Sequence, residues 1–197
     1  DGETAKSLAK LSYILPTVVL DATAFQLLDG SPSERRQFID WGVFHVEHKF
    51  YQHWIVIQRL LKQRNALLRQ KQRDYGLYKA WDASLAEHSA ALELLRLRYL
   101  QRFQAVFSEC LLELDKDLLD HHIYYKNGWG SKKIDFNLLN ISQDVSQLCP
   151  TVEEIKTWLQ QSFEKDVLYK RSNIGPHRAD MQIKTDNFLV KDVYSRG

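Results

Sequence analysis

Cysteine, proline and methionine are scarce in this chain of 197 residues, which contains two, four and one of them respectively. Cys110 and Cys149 form no Cys-x-x-Cys pair, so the sequence predicts small buried or half-buried thiols, not a disulfide or a metal site. No apolar run reaches the roughly 18 residues that a membrane span needs, and residues 1–4 lack the start of a signal peptide. We therefore expect a cytoplasmic protein with no membrane partner.

Glycine is also sparse, and the eight glycines never fall in the Gly-x-x-x-x-Gly-Lys-Ser/Thr spacing that holds a triphosphate. The chain also has no Gly-x-Ser-x-Gly nucleophile elbow and no His-Glu-x-x-His zinc motif. The sequence therefore nominates no catalytic residue and no cofactor for this chain. A free-standing small enzyme is the weakest of the functional hypotheses, because no catalytic constellation supports it.

The overall charge is nearly balanced, with a formal net charge of +2, but the local charge is uneven. Seven lysines and arginines lie between Lys49 and Arg73 without a single Asp or Glu, and a helix of one sign attracts phosphate. The candidates for contact with duplex DNA are Arg35, Arg36, Arg59, Lys62, Arg64 and Arg69. Alternatively, these side chains are solvated or pair with acids of the next helix, namely Glu87, Glu93, Glu109 and Glu113. Both alternatives stay open on sequence alone.

Histidines cluster in one short segment that invites comparison with a metal site. His45 and His48 stand three apart on a predicted helix, with Glu47 and His53 nearby. Nothing in the sequence supplies the ordered further ligands and supporting hydrogen bonds that zinc needs. We therefore expect no metal.

The first part of the chain predicts a strand followed by long helices. A β-branched apolar run at 14–20 favours a buried strand, and Ser31, Pro32 and Glu34 are typical of a helix start. A helix through about Val46 is followed by an amphipathic segment at 50–73, a break at 74–76 and a helix over 81–114. The two long helices predict an antiparallel hairpin, an elongated arm.

Beyond residue 120 the pattern becomes mixed. It predicts a strand at 122–125, an irregular loop at 132–147, a helix from Pro150 to about Leu168, and short strands at 180–184 and 188–193. The expected fold class is thus α+β and predominantly α, with an elongated helical arm and a small mixed portion.

Several segments, in order, resemble the RecF family of bacterial DNA-repair ATPases, relatives of the SMC and ABC-type ATP-binding heads. They are Phe25–Gly30, Arg35–Gly42, Leu60–Leu68, the Gly175-Pro176-His177-Arg178 turn and the closing Ser195-Arg196-Gly197. The resemblance is strongest at 25–70 and 171–197 and weakest at about 72–170. It implies that Tyr194–Gly197 match four positions of a Leu-Ser-x-Gly-Gln signature, with Tyr194 in place of leucine. In the family, the residues matched by Ser195, Arg196 and Gly197 contact the ATP of the opposite subunit.

The resemblance also implies an organisation and a function for the chain. It suggests an internal fragment, without the Walker A and Walker B motifs of the ATPase head and unable to hydrolyse ATP alone. The expected regions are 1–30 as a strand-containing segment of that head, 31–120 as the helical arm, 121–170 as a mixed region of the arm, and 171–197 as a return to the head that ends in the signature motif. The intact protein would bind ATP and Mg²⁺, form a homodimer, bind DNA at duplexes or gap junctions, and act with RecO and RecR to load RecA. The alternative is that the arm is a protein-interaction and dimer-clamping module for RecR or the opposite subunit, marked by exposed apolar surface on the 81–114 helix.

Overall fold

The computed structural model of the protein describes residues 12, 15–18, 22–115, 120–130, 133–185 and 188–193. The α-helices in these ranges are α1 (Gln26–Asp29), α2 (Pro32–Val46), α3 (Phe50–Arg69), α4 (Lys79–Leu114), α5 (Val152–Tyr169) and α6 (Val190–Val193). The strands are β1 (His121–Lys126), β2 (Ile134–Asp135), β3 (Asp180–Thr185) and β4 (Phe188–Leu189). Short 3-10 turns lie at Ala22–Phe25, Tyr75–Leu77, Phe136–Leu138, Val145–Leu148 and Pro176–Arg178. The predicted α+β, predominantly α fold is confirmed.

Two helix starts follow from their capping residues. Ser31 accepts a hydrogen bond from the backbone N–H of Glu34, and the Glu34 carboxylate accepts one in return from the Ser31 backbone. Thr151 and Glu154 repeat this reciprocal capping box at the start of α5. Each box satisfies two N–H groups that the helix itself leaves unpaired. The predicted start of the first helix is confirmed.

The predicted helical hairpin is formed by α3 and α4, which are joined through the Tyr75–Leu77 turn. Arg64, near the end of α3, reaches Asp82 near the start of α4, as two antiparallel helices require. Helix α4 has 36 residues and is therefore about 54 Å long. Helix α3 has one apolar face, as predicted for an amphipathic segment, and its Ile57, Leu61 and Leu68 are all buried.

A four-stranded antiparallel sheet, in the order β2-β1-β3-β4, lies beside the hairpin. Its centre is the β1–β3 pair, where Ile123 stands opposite Ile183. The prediction of a strand through residues 188–193 is wrong after Leu189, because the strand ends there and Val190–Val193 forms a helical turn. Val190 is buried in the core by this turn. A segment of six residues is too short for the spacing of its apolar residues to distinguish a strand from a helix.

One hydrophobic core joins the helices to the sheet. It contains fully buried side chains from α2, α4, β1, α5 and β3: Ile39, Leu97, Ile123, Leu159 and Met181. The hairpin and the mixed region therefore bury apolar surface against each other, which is the main favourable contribution to their folding. The region boundaries expected from the sequence stay a prediction.

The strand predicted at 14–20 lies partly, and the closing motif entirely, outside the described residues. Residues 15–18 are described and form no strand, whereas 14, 19–20 and 194–197 lie outside the described ranges. Among the described helices, none combines the length and the apolar character that a membrane span would require.

Candidate nucleic-acid interface

Three of the six predicted DNA-contacting residues lie on the outer side of α3. Arg59, Lys62 and Arg69 are exposed, and their spacing of three and seven residues places them on one face of the helix. The apolar side chains of α3 point the other way, into the core. These three cations can therefore reach a phosphate backbone without any change in the fold. We call them the α3 strip.

Arg64 is a different case, because its side chain is completely buried. Its Nε donates to Asp82 Oδ1 at 2.8 Å, and one terminal nitrogen donates to Asp166 Oδ2 at 2.7 Å and to Ser172 Oγ at 2.9 Å. The guanidinium also lies 5.8 Å from the centre of the Tyr78 ring. Arg64 therefore joins α3 to α4, to α5 and to the segment after α5. The prediction that it contacts DNA has to be corrected, since it presents no surface.

Arg35 is likewise used inside the protein. Its Nε and one terminal nitrogen donate to the two carboxylate oxygens of Asp180 at 2.8 and 3.1 Å, and a third nitrogen donates to the Gly30 carbonyl. Such a two-point arginine–carboxylate pair is strong and directional. It ties the first turn of α2 to the start of β3, so Arg35 is corrected to a structural residue.

Arg36 contacts the backbone of the neighbouring segment. One terminal nitrogen donates to the Pro32 carbonyl at 3.0 Å and to the Ala179 carbonyl at 2.7 Å. Burial, followed by the positive charge of Arg96, lowers the pKa of Arg36. This half-buried position does not suit a residue that binds phosphate, so Arg36 leaves the candidate set.

The Gly175–Arg178 turn, whose role the sequence left open, is the point where these contacts converge. Arg96 donates to both oxygens of Asp40 and, at 2.9 Å, to the Pro176 carbonyl, while Gly175 N–H donates to the Gly128 carbonyl at 3.0 Å. The turn therefore locks α2, α4 and the loop after β1 together. Sequence reasoning missed Arg96, although an arginine flanked by Leu95 and Leu97 on α4 is a signal for a buried ion pair.

His177, in the same turn, is held neutral. Its Nε2 lies 3.2 Å from the Ser172 carbonyl, and burial lowers its pKa to about 4. A neutral imidazole that donates to a backbone carbonyl helps to hold the turn, and it adds no positive charge to the surface near pH 7.

The histidines that resembled a metal site do not come together. His45 packs against Trp41 and Phe44, with ring centroids 4.7 and 5.1 Å away, whereas His53 Nδ1 lies 3.0 Å from His88 Nδ1 on α4. Burial, then His88 and Lys49, lowers the pKa of His53. No group of three or more His, Cys, Asp or Glu side chains suited to a metal occurs in the part of the chain that the structure describes.

Other residues singled out by the sequence can be placed more briefly. Both cysteines are free thiols, and Cys110 is exposed instead of buried or half-buried as predicted. Ser195, Arg196 and Gly197 lie outside the described residues. Glu93 is completely buried and accepts a hydrogen bond from the Tyr125 hydroxyl at 2.9 Å, so it does not pair with the α3 strip.

Exposed apolar side chains occur near the end of α4. Val106, Leu112 and Leu114 are 56%, 50% and 77% exposed. They lie on the helix for which the protein-interaction hypothesis predicted exposed apolar surface.

Known proteins of similar sequence match this chain over its whole length. No protein-family model matches it. The DNA replication and repair protein RecF is 34% identical over 197 residues in Pseudomonas syringae pv. syringae, 35% in Pseudomonas aeruginosa and 34% in Chromohalobacter salexigens. These matches cover 100% of this chain but 48% or 49% of each relative. The chain therefore spans about half the length of the curated relatives it matches.

Two solved structures share the fold. The recombination mediator protein RecF-ATPrS in the RecFOR pathway has a TM-score of 0.80 at 23% identity, and the match covers 100% of this chain and 50% of that one. The corresponding RecF-ATP structure has a TM-score of 0.72 at 25% identity, with 90% and 45% covered. In sequence and in fold, the chain corresponds over its whole length to about half of a RecF protein.

Proposed function

We propose that this chain supplies a DNA-contacting helical arm to a RecF-like protein of DNA replication and repair in the RecFOR pathway. The match to RecF proteins over the full chain supports the pathway. The observation that carries the DNA contact is the α3 strip, exposed on a helix without acidic residues. In the intact protein, we propose that this arm works with an ATP-bound homodimer and with RecO and RecR in loading RecA.

ATP and Mg²⁺ belong to this proposal only through the intact protein. The sequence contains no phosphate-binding loop of the Gly-x-x-x-x-Gly-Lys type, and the candidate signature residues 195–197 lie outside the described ranges. We therefore derive no step of ATP chemistry from this chain. We expect the chain by itself to have no ATPase activity.

The test of DNA contact is a salt titration of binding to a fluorescent duplex. The unsubstituted chain is compared with a variant that carries Arg59→Ala, Lys62→Ala and Arg69→Ala. Each phosphate neutralised on duplex DNA contributes about −0.9 to the slope of log K against log salt. We expect the slope measured for the triple variant to be shallower by up to roughly 2.7, because three phosphate contacts are removed. A chain that fails to bind even at low salt would remove the arm as an independent DNA-binding element.

A second candidate function is docking of a protein partner without DNA contact. The exposed side chains of Val106, Leu112 and Leu114 favour it. The variant Leu112→Ser with Leu114→Ser would weaken binding to purified RecR, measured by surface plasmon resonance, and would leave DNA affinity unchanged. Unaltered RecR binding would argue against this surface.

A further inference from the structure

Two acid-free segments that are far apart in sequence lie side by side in the fold. The first is Lys49–Arg73, which contains α3, and the second is Val167–Ala179, which leads from the end of α5 to β3. They meet at Asn65, whose Oδ1 accepts hydrogen bonds from the Ser172 backbone N–H at 2.7 Å and from Ser172 Oγ at 2.9 Å. The second segment is therefore fastened directly to α3.

The point of attachment lies within the α3 strip. Asn65 follows Lys62 by three residues and precedes Arg69 by four, so all three side chains project from the same side of the helix. Ser172 thus docks between two of the cations that we propose contact DNA. Its chain neighbour Arg171 is exposed, as are Lys170 and Arg178.

The second segment is held in a defined conformation. Lys170 ends α5 with a left-handed backbone (φ 55°). The backbone and side-chain nitrogens of Asn173 both donate to Asp166 Oδ1 at 2.9 Å. Arg178 donates from one terminal nitrogen to the Ser172 carbonyl at 3.2 Å. Ordered backbone limits the entropy lost when a ligand binds to the side chains that it carries.

The acids at this junction do not offset its exposed cations. Asp82 and Asp166 lie beneath it, but both are buried and bonded to Arg64, and the exposed acid of this end of α5 is Glu164. Exposed cations of α3 and of the Val167–Ala179 segment therefore lie on the surface on either side of this junction. A surface that carries cations of one sign attracts a polyanion.

We propose that Lys170, Arg171 and Arg178 form a second wall of the DNA-binding surface, beside Arg59, Lys62 and Arg69 of the α3 strip. The ligand is duplex DNA, whose regularly spaced phosphates suit cations presented by two adjacent segments. This inference rests on the proposed DNA-binding function and extends it to a segment more than a hundred residues further along the chain.

The experiment compares the salt dependence of duplex binding in the full 197-residue chain and in the variant Lys170→Ala with Arg171→Ala. Loss of two phosphate contacts should reduce the steepness of the slope by about 1.8 and weaken binding by up to roughly 60-fold at about 0.1 M salt. The matched control is Arg98→Ala with Arg102→Ala, which removes two exposed cations from α4 and should change neither quantity. The charge-conserving variant Lys170→Arg with Arg171→Lys should keep the slope.

The outcomes separate this inference from the proposed function. An unchanged slope in the Lys170/Arg171 alanine variant, with a reduced slope in the α3 variant, would overturn the second wall and leave the function standing. Cations near a helix C-terminus also stabilise the helix itself, so a lower melting temperature with unaltered DNA binding would likewise overturn it. No duplex binding by the unsubstituted chain would overturn both.

Discussion

Replacement of Arg64 by alanine tests the buried network most directly. The side chain has no exposed surface, and it compensates the carboxylates of Asp82 and Asp166, which are themselves buried. In the Arg64→Ala variant, both carboxylates lose their cation inside the protein. The variant therefore loses stability because two buried charges are left without a partner, and not only because hydrogen bonds are lost.

The magnitude follows from the burial of all three groups. Removing one partner of a buried ion pair costs about 3–5 kcal/mol. For a domain of this size, that cost corresponds to a melting temperature lower by roughly 6–20 °C. Burial raises the pKa of Asp82 even while Arg64 opposes this shift, and without Arg64 the pKa of Asp82 rises further. A carboxyl group whose folded-state pKa is raised binds its proton more tightly when folded, so the deficit of the variant is largest at neutral pH. It shrinks as the pH falls towards the ordinary range of aspartate.

Urea denaturation followed by circular dichroism gives the free energy of unfolding for this comparison. The exposed Arg59→Ala variant, on the same helix, is the control and should change stability by less than about 0.5 kcal/mol. An Arg64→Ala variant as stable as the control at pH 7 would refute the argument from burial. So would a deficit that grows on acidification.

Three further variants probe the buried acid and the tight turn. Burial raises the pKa of Glu93 to about 7, so the free energy of unfolding should fall as the pH rises from about 4.5 to 7, by at most about 1.4 kcal/mol per pH unit. Glu93→Gln should flatten that profile in urea titrations, and an unchanged profile would contradict this assignment. Gly128 and Gly130 both have a φ of 84°, but a Cβ at Gly128 would lie 2.2 Å from the Gly175 carbonyl oxygen, whereas one at Gly130 meets nothing within 4 Å. We expect Gly130→Ala to lower the free energy of unfolding by about 1 kcal/mol, and Gly128→Ala to lower it by about 1–3 kcal/mol more. Equal melting temperatures of the two variants would contradict the close approach of Gly128 to Gly175.

Local signals in the sequence were sufficient for most of the secondary structure. The Ser31 capping residues, the break at Asp74 and the strand before Asn127 each depend on neighbours a few residues away, and each corresponds to an observed boundary. The apolar period of α3 likewise predicted its buried face, because a long amphipathic helix repeats its signal several times.

The candidate site could be predicted only in part, because side-chain burial depends on distant partners. In sequence, Arg64 is indistinguishable from Arg59 and Lys62, since all three lie in the same acid-free stretch. Its burial depends on Asp82 and Asp166, which are 18 and 102 residues further along the chain. No local pattern reports such a pairing, and the fastening of Ser172 to Asn65 was invisible for the same reason.

The two ion pairs of Arg64 also bear on the order in which the chain folds. Arg64 and Asp82 are separated by 18 residues, and Arg64 and Asp166 by 102. By the logarithmic law for loop closure, bringing the second pair together from a flexible chain costs about 1.5 kcal/mol more entropy than the first. We therefore expect the α3–α4 hairpin to close with Arg64 only half compensated, before α5 arrives with the second carboxylate. Time-resolved fluorescence of Trp158 on α5 would follow that later step.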